Sequence, residues 1–129
     1  MTNYSGVIVR SSPYTVGDTI NLLVVFFQKM GITVYARINQ QTEASNVGIE
    51  ILPIEFILFG NPRKGSQVIA QNPVAALDLP MKLISWEDQQ ERRWVAYNTA
   101  DYIKNRYALD NGLGMLVDVD KLVSEALEL

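Results

Sequence analysis

The chain has 129 residues, 48% hydrophobic and 19% charged, with a formal net charge of −3; these are the values of one globular domain, and the excess of acid disfavours nucleic acid as a partner. It contains no Cys and no His, which removes disulfides, thiolate nucleophiles, iron–sulfur and thiolate-zinc sites, the usual catalytic triad, and the nitrogen ligands that zinc, copper and non-haem iron prefer. Any metal would need a hard oxygen site, any acid–base work would fall to Asp, Glu, Lys or Tyr, and no cofactor is expected.

The opening MTNYSGVIVR lacks a basic start followed by an apolar stretch, so no signal peptide is read and a cytoplasmic protein is expected. From Tyr4 to Arg10, Val7 and Val9 alternate with Gly6, Ile8 and Arg10, which predicts a strand broken by Ser11-Ser12-Pro13. Thr15 with Asp18 three residues later resembles a capping box, opening a helix over Val16 to Met30 that Gly31 closes in the left-handed conformation. Val16, Ile20, Leu23, Val24, Phe27 and Met30 form its apolar face. Leu22 and Val25 fall in the polar sector and Phe26 at its edge. They are either scattered exposed apolar residues or a patch covered by a second copy of the chain, making Leu22, Val25 and Phe26 the candidate interface. The longest apolar run, Leu22 to Phe27, is far short of the roughly 18 residues of a membrane helix, so no membrane partner is expected.

Ile32 to Ile38 alternates as a second strand, and the polar Asn39 to Val47 predicts one or two helical turns ended by Gly48. Ile49 to Phe59 is strongly β-forming, with Pro53 at a bulge or edge. Within it, Ile54 to Phe59 is apolar on both faces except for Glu55, the pattern of a central strand covered on both sides. Gly60-Asn61-Pro62 marks a turn, Lys64 to Ala76 short helical pieces with Pro73 beginning the second, and Met81 to Trp86 with Arg92 to Tyr97 a hairpin across Glu87 to Glu91. Thr99 caps a helix carrying Tyr102, Ile103 and Tyr107; Asp110 to Gly114 is a flexible break. A C-terminal helix follows from about residue 116, its apolar face holding Val119, Leu122, Val123, Ala126 and Leu127. Runs of strands rather than strict alternation with helices predict a single α+β domain over residues 1–129. Its order is β-α-β-β-β-β-α, with helices packed on a largely antiparallel five-stranded sheet.

Several segments carry a family resemblance. They are Gly31 to Ile38, the FGNPRKG stretch from Phe59 to Gly65, Asn72-Pro73 through Leu79-Pro80, and the hairpin from Ile84 to Asp88 and Trp94 to Asn98. From about Gly6 to Tyr107 the chain resembles the domain-of-unknown-function 302 family. The resemblance implies a strand–helix–four-strand–helix fold related to TATA-binding-protein halves and a tendency to dimerise, but no settled activity. The chain departs from the family pattern at Asn39-Gln40, where Asp-His is common, at Ile69, where Met is common, and at Gln90, where Gly is usual. Any chemistry of that His or Met is absent from this copy.

The FGNPRKG segment is the leading ligand-site candidate. Its glycines permit a sharp turn, Asn61 can orient a carbonyl or hydroxyl, and Lys64 with free N–H groups near Ser66 can hold an anion. Turn chemistry alone accounts for every residue except Lys64. Glu55, alone among apolar neighbours, is an acid, base or ligand hook if it points inward, or else the partner of a nearby Arg or Tyr. Tyr97 can lend a hydroxyl to a pocket or serve as a core aromatic. A Ser66–Lys64 nucleophilic pair is poorly placed at that spacing, Asp118-Val119-Asp120 is too sparse for calcium, and Gly112-Leu113-Gly114 lacks a preceding strand. No catalytic residue is assigned. The expectation is a homodimeric, non-catalytic domain that binds a small organic or anionic ligand. The alternatives are an enzyme using Glu55 as acid or base on an anionic substrate, and a purely structural interaction module.

Overall fold

A computed structural model describes residues 3–110 and 118–129; most of the break expected over Asp110 to Gly114 lies outside them. The elements run β1 (Val7–Ser12), α1 (Val16–Lys29), β2 (Thr33–Asn39), α2 (Gln40–Asn46), β3 (Ile54–Gly60), α3 (Pro62–Gln71), a 3-10 helix (Pro73–Leu77), β4 (Met81–Glu87), β5 (Arg93–Asn98), α4 (Ala100–Arg106) and α5 (Val119–Leu127). The five strands form one sheet in the order β1-β5-β4-β3-β2, antiparallel at every pairing. The α+β class and the antiparallel sheet follow the sequence expectation.

Local chemistry sets the ends of these elements. Thr15 Oγ1 accepts the Asp18 N–H at 3.2 Å and opens α1. Gly31, at φ +78°, closes it, and Ile32 N–H then donates to Phe27 O at 2.9 Å, returning a buried Ile32 to the core. β1 outlasts the expected serine break: Ser11 and Ser12 still pair with Trp94 and Arg93, and Ser12 Oγ shares a 2.7 Å hydrogen bond with Thr19 Oγ1. β3 begins later than expected, at Ile54, because Pro53 has no N–H for the ladder. Its carbonyl accepts Glu87 N–H at 3.0 Å as a last rung, while Ile49, Ile51 and Leu52 lie exposed outside the strand.

Register and pleat divide the sheet into two unlike faces. On the first, Ile57, Phe59, Leu83, Val95 and Tyr97 form one buried cluster with the helices. The helical members are Ile20, Leu23 and Phe27 of α1, Val68 of α3, Ile103 of α4, and Leu122, Val123 and Leu127 of α5. Phe27 and Phe59, both fully buried, meet with ring centroids 4.8 Å apart; truncating either to Ala removes about 3–5 kcal/mol of stability at sites of this kind.

The second face is different. Its middle row is Val9, Ala96, Ile84, Phe56 and Ile38, one residue from each strand. One row toward the β4–β5 hairpin lie Trp94, Trp86 and Ile54; one row the other way lie Lys82, Leu58 and Ala36. None of these residues belongs to the cluster that holds the helices, and α2 buries no side chain. The expected burial of β3 on both sides is therefore corrected. Ile57 and Phe59 are fully buried by helices, whereas Ile54, Phe56 and Leu58 face the bare side. Phe56 is sheltered mainly by its neighbours, flanked by Ile38 and Ile84, with Lys82 Nζ 4.0 Å from its ring centroid.

At the β4–β5 turn the Asp88 carboxylate accepts the Trp94 indole N–H at 3.0 Å, the Gln90 and Arg92 backbone N–H groups at 2.9 Å each, and Arg92 Nε at 3.0 Å. These donors, the indole foremost, hold its pKa at about 2, below the ordinary 3.8. A depressed carboxylate stabilises the folded state above its unfolded pKa and loses that contribution as pH falls through the folded one. Asp88→Asn is therefore expected to lower the melting temperature at neutral pH. It should also flatten the loss of stability between about pH 4 and pH 2, measured by thermal melts across that window.

Candidate functional site

β3 ends at Gly60, and the chain turns directly into α3 without a left-handed residue: neither Gly60 nor Gly65 has positive φ. The turn is made by Asn61. Its Oδ1 accepts the N–H groups of Arg63 at 3.0 Å and Lys64 at 3.2 Å, its carbonyl accepts Gly65 N–H at 2.8 Å, and Pro62 supplies the first helical residue. This alters the expected anion cradle. The helix begins at Pro62, before Lys64, so the first free backbone donors are satisfied by Asn61 and not held open near Ser66. What remains for a ligand is the Asn61 amide NH2, the Lys64 ammonium and the Ser66 hydroxyl.

These three side chains border one cleft of about 130 Å³. Its apolar walls are Tyr35, Ile69, Leu79, Pro80 and Met81, and the Leu79–Pro80 peptide is cis. Gly60 and Gly65 line it too. A Cβ on Gly65 would meet nothing within 4 Å, so a side chain there would occupy open space. Lys64 and Ser66 are exposed at the rim, while Leu79 and Met81 are buried. Tyr35, Leu79, Pro80 and Met81 were not candidates from the sequence. Tyr35 stands at a register shift in β2, between Val34 and Ala36, that regular alternation does not reveal. The Leu79-Pro80 pair is distant in sequence from the loop it faces.

Glu55 and Tyr97 are placed elsewhere. Glu55 lies five positions before Gly60 on the same strand, about 16 Å away at ~3.3 Å per residue. It is buried, faces α1, and accepts Arg37 Nε at 2.9 Å; Arg37 also donates to Asn21 Oδ1 at 2.6 Å. Opposite it on β4, fully buried Ser85 has an Oγ with no hydrogen-bond partner. Tyr97 lines a second cavity of about 270 Å³, beside Asp118, Asp120 and Lys104. Its hydroxyl donates to Asp120 Oδ1, which also accepts Arg10 Nη1 at 3.1 Å. Burial first, and then the Asp120 carboxylate, push the phenol pKa well up, so Tyr97 is a committed proton donor that ties β5 to α5. The proposed interface trio is split: Leu22 and Val25 are 38% and 61% exposed, whereas Phe26 packs partly against the core.

The family model described as "Domain of unknown function DUF302" matches residues 8–128. The chain belongs to this family. A crystal structure of an uncharacterized conserved DUF302 protein from Bacillus stearothermophilus matches it with a TM-score of 0.78 over 97% of this chain and 98% of that one. At 16% identity that likeness shows the fold alone. Among curated proteins, "Fluoride-specific ion channel FluC 1" of Brucella suis and its namesake in Brucella abortus are each 29% identical over 120 residues. The match takes in 93% of this chain but only 46% and 44% of those proteins. Among the described residues, no helix is long and apolar enough to cross a membrane.

The Glu55 environment yields a test that needs no ligand. Arg37→Ala strands a buried carboxylate, and because the arginine is about a third exposed, solvent screening limits the loss to about 1–2 kcal/mol. Glu55→Gln in that background should restore part of it. Ser85→Ala should be neutral or slightly stabilising, since no hydrogen bond is lost. Urea denaturation of the four proteins checks all three.

Proposed function

We propose that this protein is a homodimeric, non-catalytic domain that binds a small organic or anionic ligand in the cleft beside the FGNPRKG segment. One observation carries the reading. Asn61, Lys64 and Ser66 converge on the rim of a cleft whose walls are apolar, the combination by which proteins hold a compact molecule with one charged or polar end. At about 130 Å³ the cleft is well below the roughly 300–1,000 Å³ of sites for drug-sized molecules. A short aliphatic or small cyclic body would lie against Ile69, Leu79 and Met81, with its anionic end at Lys64 and a hydroxyl or carbonyl at Asn61 or Ser66. The enzyme alternative gains no support: Glu55 is held by Arg37 about 16 Å along β3 and does not face Lys64. The cytoplasm remains the expected compartment. The likeness to a TATA-binding-protein half is part of the same reading, supported by a sheet with helices on one side. The channel activity in the names of the Brucella relatives is not carried over, because the shared segment is less than half of those proteins.

Native mass spectrometry of gently purified protein reads subunit number and any retained small molecule together. Amide chemical shifts followed during titration with straight-chain carboxylates from acetate to hexanoate then locate binding. Gly65→Leu is expected to abolish it by filling the cleft while leaving α3 at least as stable, since Gly is a poor helix residue by about 1 kcal/mol. Lys64→Ala is expected to weaken carboxylate binding by about tenfold or more, the usual loss for a charged hydrogen bond. Binding that neither variant disturbs would remove the cleft from consideration.

A further inference from the structure

We infer that the bare face of the sheet is the surface through which two copies of this chain associate, packed sheet against sheet about a two-fold axis that crosses the strands. The inference rests on the homodimer reading above and specifies its interface, which the sequence placed on α1.

The size of the face is the first reason. Five strands ~4.8 Å apart and six or seven residues long, at ~3.3 Å each, cover about 500 Å² in plan. An interface should clear about 1,000 Å² counted over both partners, a floor that this face reaches when its whole extent is used. The exposed large apolar side chains of α1 are Leu22 and Val25, with Met30 at its C-cap, three residues on one helix.

Composition points to a second copy as the occupant. The paired positions of the face carry no acidic residue, and their one cation, Lys82, lies over the ring of Phe56 on its own subunit. At its hairpin end Asp88 and Arg92 border Trp94 but are paired with each other, so the surface offers a charged partner little and can meet itself without an opposed ion pair.

Symmetry then selects the orientation. Two copies can stack face to face about an axis along the strands or an axis across them. An axis along the strands keeps each row opposite itself and places the two Lys82 side chains in the same row. An axis across the strands, through the middle row, keeps each strand over its own counterpart and reverses the rows. On β4 it sets Ile84 over Ile84 of the partner subunit, and Lys82 over the partner subunit's Trp86. On β3, Leu58 meets Ile54 of the partner subunit, and Phe56 meets its own counterpart. Each lysine thus gains an aromatic face in place of a like charge. The natural twist of stacked sheets, about 30°, displaces these pairs laterally without changing which rows meet.

The protein carries its own probe. Its two tryptophans, Trp86 and Trp94, are both on this face, paired across β4 and β5. Unmodified protein is diluted stepwise while sedimentation velocity reads mass against the 14.5 kDa chain and fluorescence reads emission and acrylamide quenching. Dissociation is expected to shift tryptophan emission to the red and raise quenching in step with the loss of dimer. Ile84→Glu brings two carboxylates together at the axis and should weaken association by about a hundredfold or more; circular dichroism shows whether its sheet is intact. A wild-type monomer at every concentration overturns both this inference and the homodimer reading. A dimer whose tryptophans do not respond to dilution, or one that survives Ile84→Glu, overturns this inference alone and returns the interface to Leu22 and Val25, for which Leu22→Asp is the matching variant. None of these outcomes depends on the ligand cleft.

Discussion

The helices pack on one face of a five-stranded antiparallel sheet, and most of the molecule follows from that. Only β4 and β5 are joined by a short turn; β2–β3 and β3–β4 are neighbours joined through helix, and α1 carries the chain from β1 at one edge to β2 at the other. The amphipathic segments among them, α1 and α3, and the later α4 and α5, gather their apolar stripes over Ile57, Phe59, Leu83 and Val95. Among the described residues, no helix of comparable amphipathicity remains for the other side, because α2 is largely polar and buries no residue. The strands nevertheless carry apolar residues at both parities. A sheet so built has one face covered by helices and one that they leave open.

The cleft is a product of the same arrangement. β3 is central and delivers its C-terminal end, Gly60, to the start of α3, where Asn61 serves the fold by capping the helix and borders the cleft as well. Its carbonyl and amide oxygen are committed to the backbone, which leaves binding chemistry to side-chain donors around an apolar hollow. Two further polar networks belong to the fold. Arg37 and Glu55 join β2 to β3 beneath α1, and Tyr97, Asp120 and Arg10 join the sheet to α5. Burial and close carboxylate contact in the second network keep the Tyr97 phenol protonated, which suits a tether better than a proton shuttle.

Much of this is legible in the chain, and the gaps have physical causes. Caps are local, so Thr15, Thr99 and the left-handed Gly31 read directly from sequence, and β-forming patterns located β2, β4 and β5 to within a residue at each end. Misplaced boundaries occur where a non-local partner decides. Ser11 and Ser12 stay in β1 because β5 pairs with them, and Ile49 to Leu52 fail to pair despite high β propensity. Of the candidate site, Asn61, Lys64 and Ser66 were visible because they are contiguous. The Tyr35 bulge and the opposing wall from Leu79 to Met81 were not, since their approach depends on the β3–β4 pairing and the path between α3 and β4.

The sequence by itself determined the α+β class, the antiparallel strands, the absence of thiol and imidazole chemistry, the family, and the segment that borders the cleft. All of these depend on residue types and short-range spacing. Only the tertiary structure decided that Glu55 belongs to Arg37, that Tyr97 belongs to Asp120, and that the helices gather over one side of the sheet and leave Ile54, Phe56 and Leu58 on the other. The pattern of β3 shows that both its sides are apolar, but it cannot show what lies against them. That depends on where the rest of the chain, and whatever binds it, finds room to pack.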